Sequence, residues 1–378
     1  MNKINAKIVA DSINPQGNRI TSFILTYPRF IHGELMTHRM FSRNSASSRA
    51  IPFNKMIEMV ETDPFIPIAW QSKHTGMQGT DYLDGDSEQK LLINKWLESR
   101  DLAAQQAKLL DYNNVTKQLC NRLLEPYMWH TTLCTFTESE NFFNLRCPKY
   151  GEGEFKSKKD VIRESKLAGM PSDYYSRFEV VDWLKHNSSQ AEIHIQALAE
   201  SMWDAMNESK PNQLNPGEWN IPFGDQMDIT TKSKIVTQEN NKIIKKYEDS
   251  NSGELPTFCM PTIDLRSLIT PLKIKVATAR CARLSYMTFE GEINYEKDIA
   301  LHDQLLASHH MSPFEHCARA MTDLEYYSFY KGEYPIGDDG NLYNMETYPK
   351  HYKYYKGEHG WCDNFKGFIP YRHLIENS

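Results

Sequence analysis

Two runs of β-formers, residues 6–9 and 20–25, flank Asn14-Pro15-Gln16-Gly17-Asn18, whose composition is turn chemistry, so the chain opens as a β-hairpin. Its second strand delivers the chain to Tyr27-Pro28. Beyond it the apolar residues Phe30, Ile31, Leu35, Met36 and Met40 recur as on a short helix over 30–40, and a polar run, 42–49, follows. Residues 74–88 have the composition of an exposed loop. Residues 88–124 read as one or two long amphipathic helices that end at Glu125-Pro126. A helix-like stretch covers 135–145, a charged insert 146–187, and a further helix 189–207, with Ser189 as its cap. Residues 209–262 are rich in Pro, Gly and Asn, as in a long connection or lid. Residues 272–284 form an apolar strand or helix, and 296–308 a helix.

With 378 residues the chain is long enough for one large domain or two, and 40% hydrophobic with 24% charged residues is the balance of a globular protein. The formal charge of -6 is spread over both halves, and the basic stretches at 156–159 and 242–246 are short. No nucleic acid partner is expected from such a surface. No run reaches the roughly 20 apolar residues of a membrane span, and the polar N-terminus lacks the apolar core of a signal peptide, so a cytoplasmic protein without membrane attachment is expected. The seven cysteines are odd in number and widely spaced, with no C-x-x-C pair, which points to reduced thiols and gives no support to zinc held by paired cysteines.

Chemistry has few places to reside. Thr37-His38-Arg39-Met40-Phe41-Ser42-Arg43-Asn44-Ser45-Ala46-Ser47-Ser48-Arg49 holds three arginines, one histidine and four serines in thirteen residues. Guanidinium forks beside hydroxyls make a phosphate cradle, although a solvated loop or a phosphorylation target has the same composition. Arg122 and Arg146 stand alone unless the fold converges them. His309, His310, Glu315 and His316 suggest a metal, but Pro313 interrupts any helix that would align them, so no metal site is expected. The tyrosines Tyr326, Tyr327, Tyr330, Tyr334, Tyr343, Tyr348, Tyr352, Tyr354 and Tyr355 suit an oligomer interface or a stacking surface. Glycine-rich dinucleotide and nucleotide-triphosphate loops and the G-x-S-x-G elbow are absent from the sequence.

The run His38 to Arg49 resembles the R-H-R-x-x-S-x-N-E-x-S-x-R-Y signature of flavin-dependent thymidylate synthases. Further blocks agree: Arg122 to Pro126 resembles R-x-x-L-P, Asn141 to Arg146 resembles N-F-L-x-L-R, and Gln190-Ala191-Glu192-Ile193 resembles A-Q-x-E-I. Ala282-Arg283-Leu284-Ser285 and Ser312-Pro313-Phe314-Glu315-His316 resemble A-R-V-S and S-P-F-E-H, which in that family precede the signature and here follow it. A circularly permuted order accounts for this. The resemblance implies an α+β fold, a mixed and largely antiparallel sheet flanked by long helices. It would form one catalytic domain over 1–378, built from 1–60, 88–207 with an insert at 147–187, and 263–378, with 208–262 as connection or lid.

The activity implied is reductive C5 methylation of dUMP to dTMP, with FAD as hydride carrier and methylenetetrahydrofolate and NADPH as co-substrates. By position His38, Arg39, Ser42, Asn144, Ser285 and Glu315 would bind the flavin. Ser47, Arg49, Arg122, Arg146 and Glu34 would face the nucleotide, and Ser47, Arg146 and His316 would be catalytic. The family builds each site from several subunits, which implies a homotetramer. Thr37 stands where the signature has arginine, Ser45 where it has glutamate, Ala50 where it has tyrosine, and Glu34 where a glutamine precedes it. These departures leave open flavin- and folate-dependent hydroxymethylation, methylation of another pyrimidine nucleotide, or a nucleotide-binding homologue without catalysis.

Overall fold

The structure, a computed structural model, describes residues 3–75, 81–167, 180–250, 263–284, 294–331 and 358–378. The expected hairpin pairs β1 (Asn5–Ile13) with β2 (Arg19–Pro28), from Asn5 opposite Thr26 to Ile13 opposite Arg19, with a bulge between Ile8 and Ala10. Gly17 closes the turn at φ +82°, a backbone conformation that glycine adopts without strain. The polar run that follows is partly a strand: β3 (Ser42–Ser45) pairs antiparallel with β4 (Trp129–Phe136), which in turn pairs antiparallel with β2. With β5 (Asn212–Gln213) parallel to β1, the sheet runs β3-β4-β2-β1-β5 and is mixed and mostly antiparallel.

Helices cover the sheet. In chain order they are α1 (His32–Met36), α2 (Phe53–Thr62), α3 (Asp86–Tyr112), α4 (Lys117–Cys120), α5 (Glu140–Arg146), α6 (Lys158–Leu167), α7 (Val180–Lys185), α8 (Ile193–Glu208), α9 (Lys234–Ser250), α10 (Ile269–Leu284) and α11 (Tyr295–Ala307). Strand alternation assigns the faces. Phe23, Leu25, Cys134 and Phe136 point to one core, shared with Phe142 and Phe143 of α5 and Ile195, Leu198 and Met202 of α8. Val9, Ile24 and Leu133 point to the other, against Val236 of α9, Val276 and Cys281 of α10 and Ile299 of α11. A third cluster joins α2, α3 and the 3-10 turn Asn121–Tyr127. No described helix is long and apolar enough to cross a membrane.

Three expectations change. The helix-like stretch 135–145 is the end of β4, a break, and then α5; β4 is covered on both faces, so its sequence shows no alternation to betray a strand. The cap of α8 is Glu192, whose carboxylate accepts from the backbone N–H groups of His194 and Ile195, while Ser189 lies upstream. The segment 209–262 contains α9, anchored through buried Ile235 and Val236. The apolar stretch 272–284, open between strand and helix, is helical in α10. Tyr334, Tyr343, Tyr348, Tyr352, Tyr354 and Tyr355 lie outside the described residues; Tyr326 and Tyr327 meet edge to face at 5.7 Å.

One carboxyl in α8 titrates near neutrality. Glu200 accepts from the Lys158 N–H at 2.6 Å, and burial, with Asp204 nearby, pushes its pKa up to about 7. A raised folded pKa favours the protonated fold, so the benefit is complete below pH 4.5 and disappears as pH rises through 7. Glu200→Gln is therefore expected to remove a stability slope of up to about 1.4 kcal/mol per pH unit between those limits. Urea midpoints measured from pH 5 to pH 8 read this directly, and parallel curves for the two proteins would refute it.

Candidate active site

At the β3 edge of the sheet, one buried side chain joins three segments that are far apart in the chain. Asn44, 4% exposed, donates from Nδ2 to the Cys281 carbonyl of α10 at 3.3 Å and accepts the Ser312 hydroxyl at 2.8 Å. The polar run, the end of α10 and the 3-10 turn Ser312–Glu315 thus meet at one amide. Ser42, two residues earlier and on the same face of the strand, is buried as well. Arg43 donates from one guanidinium nitrogen to the carbonyls of Leu35 and His38, both at 3.0 Å, and so fixes the turn that presents His38.

The far end of α5 reaches the same turn. Arg146 donates to His38 Nε2 at 3.2 Å and to the Thr37 hydroxyl at 3.5 Å, while Phe142 meets the His38 ring edge-on at 4.8 Å. Burial first, then the Arg146 and Arg43 charges, lower the His38 pKa to about 4. A neutral ring accepting at Nε2 carries its proton on Nδ1. Asn144, two residues before Arg146 on α5, is exposed.

A second junction carries the other arginines. The turn at 47–51 is clamped to the segment 117–127: Asn121 donates to the carbonyls of Ser48 at 2.6 Å and Ile51 at 2.9 Å, Ser48 donates to Glu125 at 2.5 Å, and Lys117 donates to the Ala50 carbonyl at 3.0 Å. Arg49 and Arg122 sit on these two joined segments, beside half-buried Ser47. Arg39, Arg49 and Arg122 are exposed and make no ion pair among the described residues, which leaves their guanidinium groups available to an anion. Glu34 is half-buried on α1, its backbone carbonyl accepting from Thr37 at 2.6 Å.

Glu315 and His316 face different surroundings. The Glu315 carboxylate is paired with Arg372 at 2.6 Å. His316 is fully buried; its Nδ1 meets the Thr135 hydroxyl at 2.9 Å, and from there a polar chain runs through Ser22 and Asn220 to Ser12. Its Nε2 has no hydrogen-bond partner among the described residues, and burial lowers its pKa to about 3. Ser285 lies outside the described residues.

Sequence reasoning missed a neighbouring cluster. The Tyr27 hydroxyl lies 2.8 Å from His32 Nδ1 and 2.7 Å from the Thr132 hydroxyl, which also meets Ser45 at 3.0 Å. The His32 and His130 rings are 4.5 Å apart, and burial with Arg29 and Arg43 lowers the His32 pKa to about 4. The available signal was the two-residue spacing of His130, Thr132 and Cys134 on one strand face. Elsewhere, an open cleft of about 930 Å3 is lined by Lys73, Lys149, Trp183, Lys185 and Glu192. Of the resembling blocks it includes Gln190, Ala191 and Glu192 alone.

No protein-family model matches the chain, and no curated protein is similar to it. Among solved structures it is similar to a UMP/dUMP methylase, PolB, from Streptomyces cacaoi bound with 5-Br UMP, at 14% identity and a TM-score of 0.39, over 55% of this chain and 90% of that one. The same methylase bound with 5-Br dUMP gives 13% identity and a TM-score of 0.34, over 50% and 67%. The flavin-dependent thymidylate synthase ThyX from Helicobacter pylori, complexed with FAD and dUMP, gives 18% identity and a TM-score of 0.21, over 43% and 72%. Likenesses this distant leave the function to be argued from the residues of this chain.

Proposed function

We propose that this chain is a flavin-dependent C5 methyltransferase of the flavin-dependent thymidylate synthase type, with its motif blocks in circularly permuted order. The substrate is dUMP, with FAD, methylenetetrahydrofolate and NADPH as in the resemblance. The observation that carries this reading is the Asn44 junction. Asn44 of the signature run bonds Ser312 of the S-P-F-E-H turn and the carbonyl of Cys281, the residue that precedes the A-R-L-S block, each more than 200 residues along the chain from it.

The donor set suits the ligands. Exposed cations without ion pairs fit the phosphate of a nucleotide and the pyrophosphate of FAD. Arg49, Arg122 and Ser47 would hold the nucleotide phosphate, and Arg146 would face the uracil, held in place by His38 and Thr37. His38, Arg39, Ser42, Asn144, Ser285 and Glu315 would surround the flavin, which supplies the hydride chemistry when bound. His316 would support this region from within the core, and Glu34 would border the nucleotide.

In one copy the arginines face solvent, so the site needs a cover. Leu91, Leu102 and Leu109 are exposed along one face of α3, and Met36, Leu119, Leu123 and Leu145 are exposed close in sequence to Glu34, Arg122 and Arg146. Apolar surface around unpaired cations suits a second copy of the chain, in keeping with a homotetramer. A second chemical reading, hydroxymethylation or another pyrimidine nucleotide, is favoured by Thr37. Its hydroxyl is held by the Glu34 carbonyl and Arg146, where the resemblance has a cation.

The test is the purified protein with dUMP, labelled methylenetetrahydrofolate and NADPH. A yellow protein bleached by NADPH that yields dTMP is expected; a hydroxymethyl product selects the second reading, and colourless protein that still binds dUMP removes catalysis. Arg49→Ala is expected to raise the dUMP dissociation constant tenfold or more, because a lost charge-assisted phosphate contact costs roughly 1.5 to 3 kcal/mol. An unchanged calorimetric titration would discard that role for Arg49.

A further inference from the structure

A different set of side chains, away from the arginines, has the composition of a metal site. The hairpin of Trp361–Cys362 with Phe365–Lys366 turns at Asp363, whose φ of 53° is a left-handed conformation that Asp tolerates better than most residues. Cys362, just before that turn, is buried with Met321 and Ile369. His373 comes from the C-terminal helix Tyr371–Glu376, its ring set edge-on to Phe329 at 5.4 Å. The Cys362 Sγ, a carboxylate oxygen of Asp363 and a ring nitrogen of His373 all lie within 4.8 Å of one another.

We propose that Cys362, Asp363 and His373 bind a zinc ion, with the fourth position taken by water. His373 Nδ1 and Asp363 Oδ2 are 3.3 Å apart. Zinc–ligand bonds of about 2.0–2.3 Å place tetrahedral ligands roughly 3.3–3.7 Å from each other, so this pair already spans one edge of the polyhedron. Since all three atoms lie within 4.8 Å of one another, the thiol has at most about 1 Å to close, within the reach of side-chain rotation. A mixed thiolate, imidazole and carboxylate set selects zinc over the hard, oxygen-seeking calcium and magnesium ions. A His–Asp ion pair alone would account for two of the groups; the buried sulfur beside them is what a soft cation adds.

The position gives the ion a structural task. Arg372, next to His373 on the helix, pairs with Glu315 at 2.6 Å, and Tyr371 packs on Phe314 at 5.7 Å. Clamping His373 to the hairpin would therefore hold the helix that positions the Ser312–Glu315 turn. The zinc site stands on these three residues and is independent of the nucleotide reading.

The experiment uses the untagged full chain, stripped with chelator and titrated with zinc against a chromogenic competitor. One tight equivalent per chain is expected, with a rise in melting temperature. His373→Gln and Asp363→Asn, changes at half-exposed and exposed positions, are each expected to weaken binding tenfold or more, without competition from magnesium. Cobalt in place of zinc should show a thiolate-to-metal charge-transfer band that Cys362→Ser abolishes. Should Cys362→Ser fail to fold, the His373 and Asp363 variants decide the matter alone. Stoichiometric binding unaltered in these two variants, absence of a tight equivalent in the parent protein, or a cobalt complex without sulfur character would overturn the proposal.

Discussion

Between pH 6.5 and pH 4 the protein is expected to lose roughly 3 kcal/mol of stability through His316 alone. The ring is fully buried, and burial lowers its pKa from 6.5 to about 3. Once unfolded, the same imidazole titrates at its ordinary value, so below pH 6.5 the unfolded chain takes up a proton that the fold refuses. A depressed histidine leaves stability intact above the unfolded value, and the loss deepens until the folded pKa is reached. His38, His32 and His130 shift in the same direction, all through burial first, and add to this acid limb. His316→Gln keeps a hydrogen-bonding group near Thr135 while removing the proton site. Urea unfolding at pH 7, 6, 5 and 4 should therefore show an acid limb shallower by close to one proton in the variant. If the two proteins lose stability in parallel, His316 is not the group responsible.

The same burial explains how much could be read before the fold was known. The N-terminal hairpin was legible because its turn residues and β-formers are local, and local chemistry sets a two-stranded pairing. α3 was legible as a helix, although its break at Asn113 before α4 was not placed. β3 was hidden: Ser42-Arg43-Asn44-Ser45 has loop composition, and it is a strand because β4 supplies the pairing and Asn44 finds partners inside. β4 was hidden for the opposite reason, since both its faces are covered and the alternation disappears. In the site, the resemblance identified Asn44, Ser312, His38 and Arg146 as members of blocks, but only tertiary packing brings Asn44 to Ser312 and His38 to Arg146. For Tyr27, His32 and His130 the spacing of His130, Thr132 and Cys134 was a signal for one strand face only, because Tyr27 comes opposite His130 through the β2–β4 register, across 103 residues of chain. Cys362, Asp363 and His373 were unreadable, being joined by a hairpin and a helix whose packing no spacing rule encodes.

Removing the Asn44 side chain is expected to be the most damaging single change at the site. Asn44→Ala deletes a donor to the Cys281 carbonyl and an acceptor for the Ser312 hydroxyl, and leaves a void at a residue only 4% exposed. Buried groups left without partners cost about 1 to 3 kcal/mol each, so a loss of roughly 3 kcal/mol in unfolding free energy is expected. Ser312→Ala should cost about 1 kcal/mol, since one neutral hydrogen bond is lost and the amide keeps its other partner. In a double-mutant cycle the pair should show a coupling of 0.5 kcal/mol or more, because both changes delete the same bond. On the proposed flavin reading, the functional consequence follows from what the amide joins: with the Ser312–Glu315 turn released from β3, FAD occupancy should fall in Asn44→Ala at temperatures where the circular dichroism is unchanged. Additive single-site costs with full flavin content would mean that the three segments hold their places without this contact, and that the junction is not what organises the site.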